Sequence, residues 1–477
     1  MKTYENTFTN GISAMLTRRR NIDLLFWGCI IFLMFLLILN LQEIMQVQAW
    51  RHDALYYLSS YRGKLNAEGR WINYYLFDFL KIFPAHASAL LSISFFGAFV
   101  WIAANKILSW KKSLLITLLC LQINPIWSVI HWPAVILPAH FFFFFCAYLS
   151  RKYRYEYILA LSCILFHGTF NNLYNLIPLL FISEIKTSRQ LFRLFAFWVA
   201  FYVCGFIVAE LLTKVIAGQF IHMESWRQPH YITSLSVLLQ NLVMISKALV
   251  SHIRTFGFVN LTLCILAVVL CLWKRIMNVY QCILLLCVGM ACYAQALPLG
   301  IWVSLRTVYA LYIALLMPLC YLLLCKEFRV PVLVVFLMIG ITMFTDNYNA
   351  LRYYNGIFSV WTEHLRTIPN DSRINNQLLF LADNKETSVV EKHIMKVMNL
   401  SNRVIEGLGE RMRWATSAES LGYHVINKWD GKSIRSITPG WLDKCRFRSN
   451  QLYDWAVYNG TIVVRFNPQL MKRIQNK

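Results

Sequence analysis

Acid is scarce in this sequence. The 477 residues carry 23 Asp and Glu against 46 Lys and Arg, and charged residues make up only 14% of the chain. A soluble globular domain carries about 25%. The deficit is uneven, because 11 of the 23 acids lie in residues 1–345 and 12 in the last 132. So little charge over so long a stretch excludes a soluble enzyme core there. The chain also lacks an internal repeat, a low-complexity run and the Gly-rich phosphate loop of nucleotide-binding proteins. Solenoids and P-loop ATPases are therefore set aside. No cleavable signal peptide is expected: the first apolar run, from Leu24 to Leu41, is long enough to span and has no small-residue cleavage site.

What fills the space is hydrocarbon, with 58% of the residues hydrophobic. The pattern predicts a polytopic α-helical membrane protein of about eleven spans, followed by a small C-terminal α+β domain. The composition shifts near Thr345, giving a transmembrane domain over 1–345 and a polar domain over 346–477. Spans are expected to start near Leu24, His86, Ser113, Ala134, Tyr155, Leu173, Leu191, Thr255, Val279, Thr307 and Val330. Those after Tyr155 and Leu173 are short for a bilayer core of about 30 Å, and either cross as short spans or form a re-entrant pair.

The net charge of +23 does not point to nucleic acid, because the basic residues cluster between apolar runs. Arg18, Arg19 and Arg20 precede the first span. Lys106/Lys111/Lys112, Arg151/Lys152/Arg154, Lys186/Arg189/Arg193, Lys274/Arg275 and Lys326/Arg329 then fall in alternate loops. The positive-inside rule makes these loops and the N-terminus cytoplasmic, and an odd span count puts the tail outside. Cysteine usage agrees: 12 of the 13 lie in spans and only Cys445 in the tail, which suits an oxidising compartment. All 11 histidines fall in outer loops, outer span ends or the tail.

The first outer loop, about 42–85, is long and basic, with Arg51, Arg62, Lys64, Arg70 and Lys81. The loop from Thr213 to Arg254 leads into Ile232–Val250, which reads as an amphipathic helix lying on the membrane. In the tail, Gln377–Leu381 and Thr461–Phe466 read as buried strands, and Glu391–Leu408 has helical spacing.

A transferase at an outer membrane face has no ATP or nucleotide sugar to draw on and must use a lipid-linked donor. It needs a carboxylate to take the acceptor's proton and cations to hold the departing phosphate. Only six carboxylates outside the tail lie toward that face: Glu43, Asp53, Glu68, Asp78, Glu210 and Glu224. Asp53 is the best base, near the membrane at the start of a helix over Ala54–Leu58; the alternative is a simple N-cap. Arg51, Arg62, Lys64 and Arg70 are the phosphate ligands, or else attract anionic headgroups. Arg306 stands alone between two apolar spans, placed for function or for snorkelling. Asp78 lies in the aromatic stretch Trp71–Phe77 and reads as structural, and so does Glu43. His222, Glu224 and His230 match no strong metal spacing, so no metal or cofactor is expected. Phe141–Phe145 read as lipid-facing bulk rather than as a groove for a polyprenyl chain.

The first outer loop carries a resemblance. His52-Asp53-Ala54-Leu55, Leu58-Ser59-Ser60-Tyr61-Arg62-Gly63 and Asn66-Ala67-Glu68-Gly69-Arg70-Trp71 resemble the corresponding loop of the bacterial serotype-converting O-antigen glucosyltransferases. That loop has a double acid, a short helix ending in a Gly-containing turn, and a Gly-Arg pair. Asp53 matches the second acid, and Gly63 and Gly69-Arg70 match the turn and the pair. His52 replaces the first acid, and Arg306 resembles the family's late Arg. The resemblance covers about twenty residues in detail; beyond them it is one of architecture. It implies the GT-C-like class of polyprenol-dependent glycosyltransferases of the bacterial inner membrane, with a periplasmic C-terminal domain. It implies transfer of glucose from undecaprenyl-phosphate-glucose to the O-antigen of lipopolysaccharide, with a small flippase and a cytoplasmic-side donor-loading glucosyltransferase as partners. The rivals are an O-antigen polymerase, disfavoured because the large soluble part is C-terminal, and a lipid-linked oligosaccharide flippase or other transporter, disfavoured by the missing repeat and charge-poor spans.

Overall fold

The computed structural model describes residues 2–47, 61–80, 82–223, 227–368, 376–398, 410–426, 445–458 and 460–475. The chain divides into two units. One holds residues 1–39 and 61–345; the other holds the end of the first helix, from Asn40, and everything after Thr345.

Helices dominate the first unit. Among the described residues six are long and apolar enough to cross a membrane: Asp23–Met45, Ala85–Asn105, Ser188–Ala217, Leu235–Phe256, Val279–Ala296 and Lys326–Arg366. Exposed apolar side chains, among them Phe192, Val203, Phe206, Leu211 and Val215, run the length of Ser188–Ala217. In water such a surface is a liability; in lipid it is the solvated face. The chain is a membrane protein.

Eleven helices of spanning length are not present among the described residues. Five of the six coincide with expected spans. Four more expected spans appear as the shorter helices Pro133–Leu149, Tyr155–His167, Phe258–Trp273 and Tyr309–Leu322, and the stretch after Ser113 gives only Trp110–Cys120. The sixth long helix, Leu235–Phe256, falls where a surface helix was expected. Its inward face is Asn241, Ile245, Ala248, His252 and Phe256, yet Leu235, Leu239, Val243 and Val250 are exposed, so it is apolar on both sides. Scattered Ser, Gln and Asn make such a helix look amphipathic in sequence.

The segment after Leu173 is a 3₁₀ helix, Asn171–Glu184. A 3₁₀ helix rises about 2.0 Å per residue against 1.5 Å for an α-helix. Its 14 residues therefore reach about 28 Å, close to the bilayer core. It looked short because an α-helical rise was assumed. Donors from other elements hold its end: Lys106 Nζ donates to Leu180 O at 3.0 Å, Gln281 Nε2 to Ile182 O at 3.0 Å, and Asn278 Nδ2 to Ile185 O at 2.8 Å. Lys106 Nζ also donates to Ser150 O, the C-cap of Pro133–Leu149, and Lys112 Nζ to Leu323 O, the C-cap of Tyr309–Leu322. A cation at a helix C-terminus interacts favourably with the macrodipole, so these two lysines gather several helix ends at one level. Of the five phenylalanines, Phe143 is buried and stacks on Phe99 at 4.4 Å, while Phe141 and Phe145 are exposed.

The second unit is built on a sheet ordered β2-β1-β5-β4-β3. Its strands are β1 (Gln377–Phe380), β2 (His424–Val425), β3 (Arg448–Ser449), β4 (Tyr453–Tyr458) and β5 (Thr461–Phe466). β1 runs parallel to β2 and β5, and β4 is antiparallel to β3 and β5. The Arg329–Arg366 helix does not stop at the composition shift. Tyr353, Ile357, Trp361 and Leu365, spaced by four, join the unit's core with Phe380, Trp414, Tyr453 and Phe466. From the same helix Asn355 Nδ2 donates to Glu43 Oε2 at 3.1 Å, which gives Glu43 a structural role. The helix expected over 391–408 is instead Asn384–Val397, begun by a capping box in which Asp383 accepts from Glu386 N at 2.8 Å. Residues 399–409 lie outside the described residues.

Candidate functional site: a cation cluster around Glu68

The short helix Arg62–Glu68 ends on Gly69, whose φ of 66° is left-handed and whose N–H closes the turn on Leu65 O at 2.9 Å. Glycine adopts that backbone at little cost. A Cβ there would also strike Ile221 Cδ1 and approach Ala209 Cβ to 3.3 Å. The Gly69-Arg70 pair thus follows from geometry: the glycine turns the chain and brings Arg70 back over Glu68. Gly69→Ala is expected to cost about 1–2 kcal/mol from backbone strain alone, read as a lowered melting temperature of the purified protein.

Three cations converge on Glu68. Lys64 Nζ, one helical turn earlier, is 2.7 Å from Oε1, and Arg227 Nη2 is 2.6 Å from the same oxygen. Arg70 pairs with Oε2. The Glu68 side chain is only 9% exposed, so these are partly desolvated ion pairs. Burial alone would push the Glu68 carboxyl up; Arg70, Lys64 and Arg227 outweigh it and hold it well below its ordinary value of 4.5. Burial draws the Lys64 ammonium down, against the pull of Glu68. Among the described residues, three cations thus meet at one carboxylate.

Neighbouring segments brace the cluster. His222 N donates to Asn66 O at 3.0 Å, and Ile221 N to Glu210 Oε2 at 2.8 Å, so Glu210 shapes the 210–221 turn. Arg70 lies over the Phe170 ring at 5.1 Å. The helix Trp71–Leu80 starts against Gly168, whose carbonyl accepts from Ile72 N at 3.0 Å and Asn73 N at 3.3 Å. Asn73 Nδ2 in turn donates to Tyr61 Oη at 3.2 Å and to Val135 O at 3.0 Å.

Arg306 sits in a separate group. It belongs to the 3₁₀ turn Leu305–Thr307, and its guanidinium lies 4.7 Å over the Trp132 ring. Cation–π contact of this kind favours a fixed guanidinium. Beside it, Cys292 Sγ donates to Thr307 O at 3.1 Å, and Asn175 and Gln295 exchange amide hydrogen bonds.

The expected site residues meet different fates. Arg51, His52, Asp53 and Glu224 lie outside the described residues. Glu68 and Arg70 are brought together; Arg62 is exposed at the start of its helix, and Asp78 is exposed on Trp71–Leu80. Glu68 does not suit a general base, since a carboxylate held ionised by three cations takes a proton poorly. Arg227 carries no sequence signal of its own, because its partner Glu68 is 159 residues away. Among the described residues no group of three or more His, Cys, Asp or Glu gathers as a metal site.

Comparison with family models, curated proteins and solved structures finds no match. Chemistry at the cluster is therefore argued from its own residues. Guanidinium groups recognise carboxylate and phosphate by the same bidentate geometry, so the contacts Arg70 and Arg227 make with Glu68 are also those of phosphate recognition.

Proposed function

We propose that the chain is an inverting, polyprenyl-phosphate-sugar-dependent glycosyltransferase of the bacterial inner membrane, moving glucose from undecaprenyl-phosphate-glucose to the O-antigen. The observation that carries this reading is the gathering of Lys64, Arg70 and Arg227 around one carboxylate, in the loop that bears the family resemblance. Guanidinium and ammonium groups gathered in this way suit a departing lipid phosphate.

In this reading about eleven segments cross the membrane: the five long helices that coincide with expected spans, the five shorter ones and the 3₁₀ helix, with Leu235–Phe256 at the outer surface. The N-terminus is cytoplasmic, and the loop and tail are periplasmic. Asp53 takes the proton of the acceptor hydroxyl as its oxygen attacks the anomeric carbon. The bond from that carbon to the phosphate oxygen breaks, and undecaprenyl phosphate leaves toward Arg70, Arg227 and Arg306. A single displacement inverts the anomeric centre. The tail selects the acceptor.

Reconstituted protein given undecaprenyl-phosphate-glucose and O-antigen is expected to release undecaprenyl phosphate only when acceptor is present. Release without sugar transfer, or none at all, contradicts the reading. No metal is invoked, so EDTA is expected to leave the rate unchanged; activity lost in EDTA and restored by Mg²⁺ would overturn that part.

A further inference from the structure

An apolar cavity lies within the first unit, lined by Phe99, Ile107, Cys120, Leu179, Leu316 and Tyr321 among others. Its walls come from the Ala85–Asn105 and Trp110–Cys120 helices, the 3₁₀ helix and Tyr309–Leu322. The lining is hydrocarbon apart from two thiols, one thioether and one phenol. Water gains nothing there, because it needs several polar partners. A flexible hydrocarbon chain suits it, and the surrounding membrane supplies such chains.

Two further observations say which chain. The Tyr321 hydroxyl is buried with no hydrogen-bond partner, on a residue 4% exposed that lines the cavity. An orphaned buried donor calls for an acceptor. Cations also flank the lining. Lys106 immediately precedes Ile107, Lys111 and Lys112 follow Leu108, and the Lys112 ammonium sits 2.7 Å from Leu323 O, two residues past Tyr321.

We infer that the cavity holds one acyl chain of an anionic phospholipid, its ester carbonyl accepting from Tyr321 and its phosphate drawn to the cations around Lys106–Lys112. Basic residues at a membrane surface attract anionic headgroups in this way. The site is distinct from the Glu68 cluster and independent of the proposed transfer chemistry.

The full chain, purified in mild detergent, is expected to retain one phosphatidylglycerol by native mass spectrometry. After delipidation its melting temperature rises with added phosphatidylglycerol and less with phosphatidylcholine. Leu316→Trp and Ala104→Phe, which fill the cavity, are expected to abolish retention while eluting as a single species. Tyr321→Phe and Lys112→Gln each reduce retention about fivefold, the loss of one polar contact. Equal retention by intact and filled proteins overturns the site, and so does an intact protein that neither retains nor responds to lipid. Equal response to both lipids overturns the headgroup assignment. If the filled variants do not fold, unchanged retention in both Tyr321→Phe and Lys112→Gln contradicts the inference.

Discussion

Asp53→Asn is expected to lower the rate of glucosyl transfer by about 10²- to 10⁴-fold, the usual contribution of a positioned general base. The choice of asparagine is deliberate. Asn caps a helix about as well as Asp does, so the variant keeps a cap and loses only the ability to take a proton. A full transfer rate in the reconstituted assay, at matched protein, would reduce Asp53 to a cap. A lost rate with unchanged melting temperature assigns it the proton. Glu68 does not replace it, because its carboxylate is already held by Lys64, Arg70 and Arg227.

Glu68→Gln is expected to destabilise the protein by about 3 kcal/mol, since removing one partner of a buried ion pair typically costs 3–5 kcal/mol. The lower end applies because the Lys64 and Arg227 side chains are 22% and 24% exposed. The change leaves three cations facing a neutral amide, and the link from the first loop to residues 221–230 loosens. Melting temperature and protease sensitivity near Arg227 report it. The pH dependence has a definite sign. The folded carboxyl lies below its ordinary value of 4.5, so its contribution is complete above that value and is lost as the pH falls through the folded pKa. The gap between wild type and variant is therefore expected to be constant above about pH 5.5 and to close in acid. A gap that widened in acid would mean that Glu68 is not held ionised.

Parts of this structure are legible in the sequence because they depend on local chemistry. Apolar runs mark Ala85–Asn105 and Ser188–Ala217. The turn that the resemblance puts at Gly63 falls six residues later: Gly63 lies inside the helix Arg62–Glu68, and Gly69 makes the left-handed turn. Two local signals were present and passed over. Asp383 followed by Glu386 starts a helix seven residues before the expected one, and Gly460, just before β5, takes a left-handed φ of 76°. Other parts are not local. The 3₁₀ geometry of Asn171–Glu184 has apolar neighbours like any buried helix, and its donors come from Lys106 and Gln281. Arg227 reaches Glu68 across 159 residues, a distance that no motif spacing encodes. The later turns of Arg329–Arg366 look like the start of a soluble domain; in the structure they are a helix whose every fourth residue enters that domain's core.

The most direct test of the central claim is the sugar composition of surface O-antigen from cells making the intact protein, from cells making Asp53→Asn at equal membrane level, and from cells making neither. Side-branch glucose present only with the intact protein is the expected result. Glucose unchanged in all three, or a shift in chain length without added glucose, would contradict glucosyl transfer and move polymerisation or transport to the front.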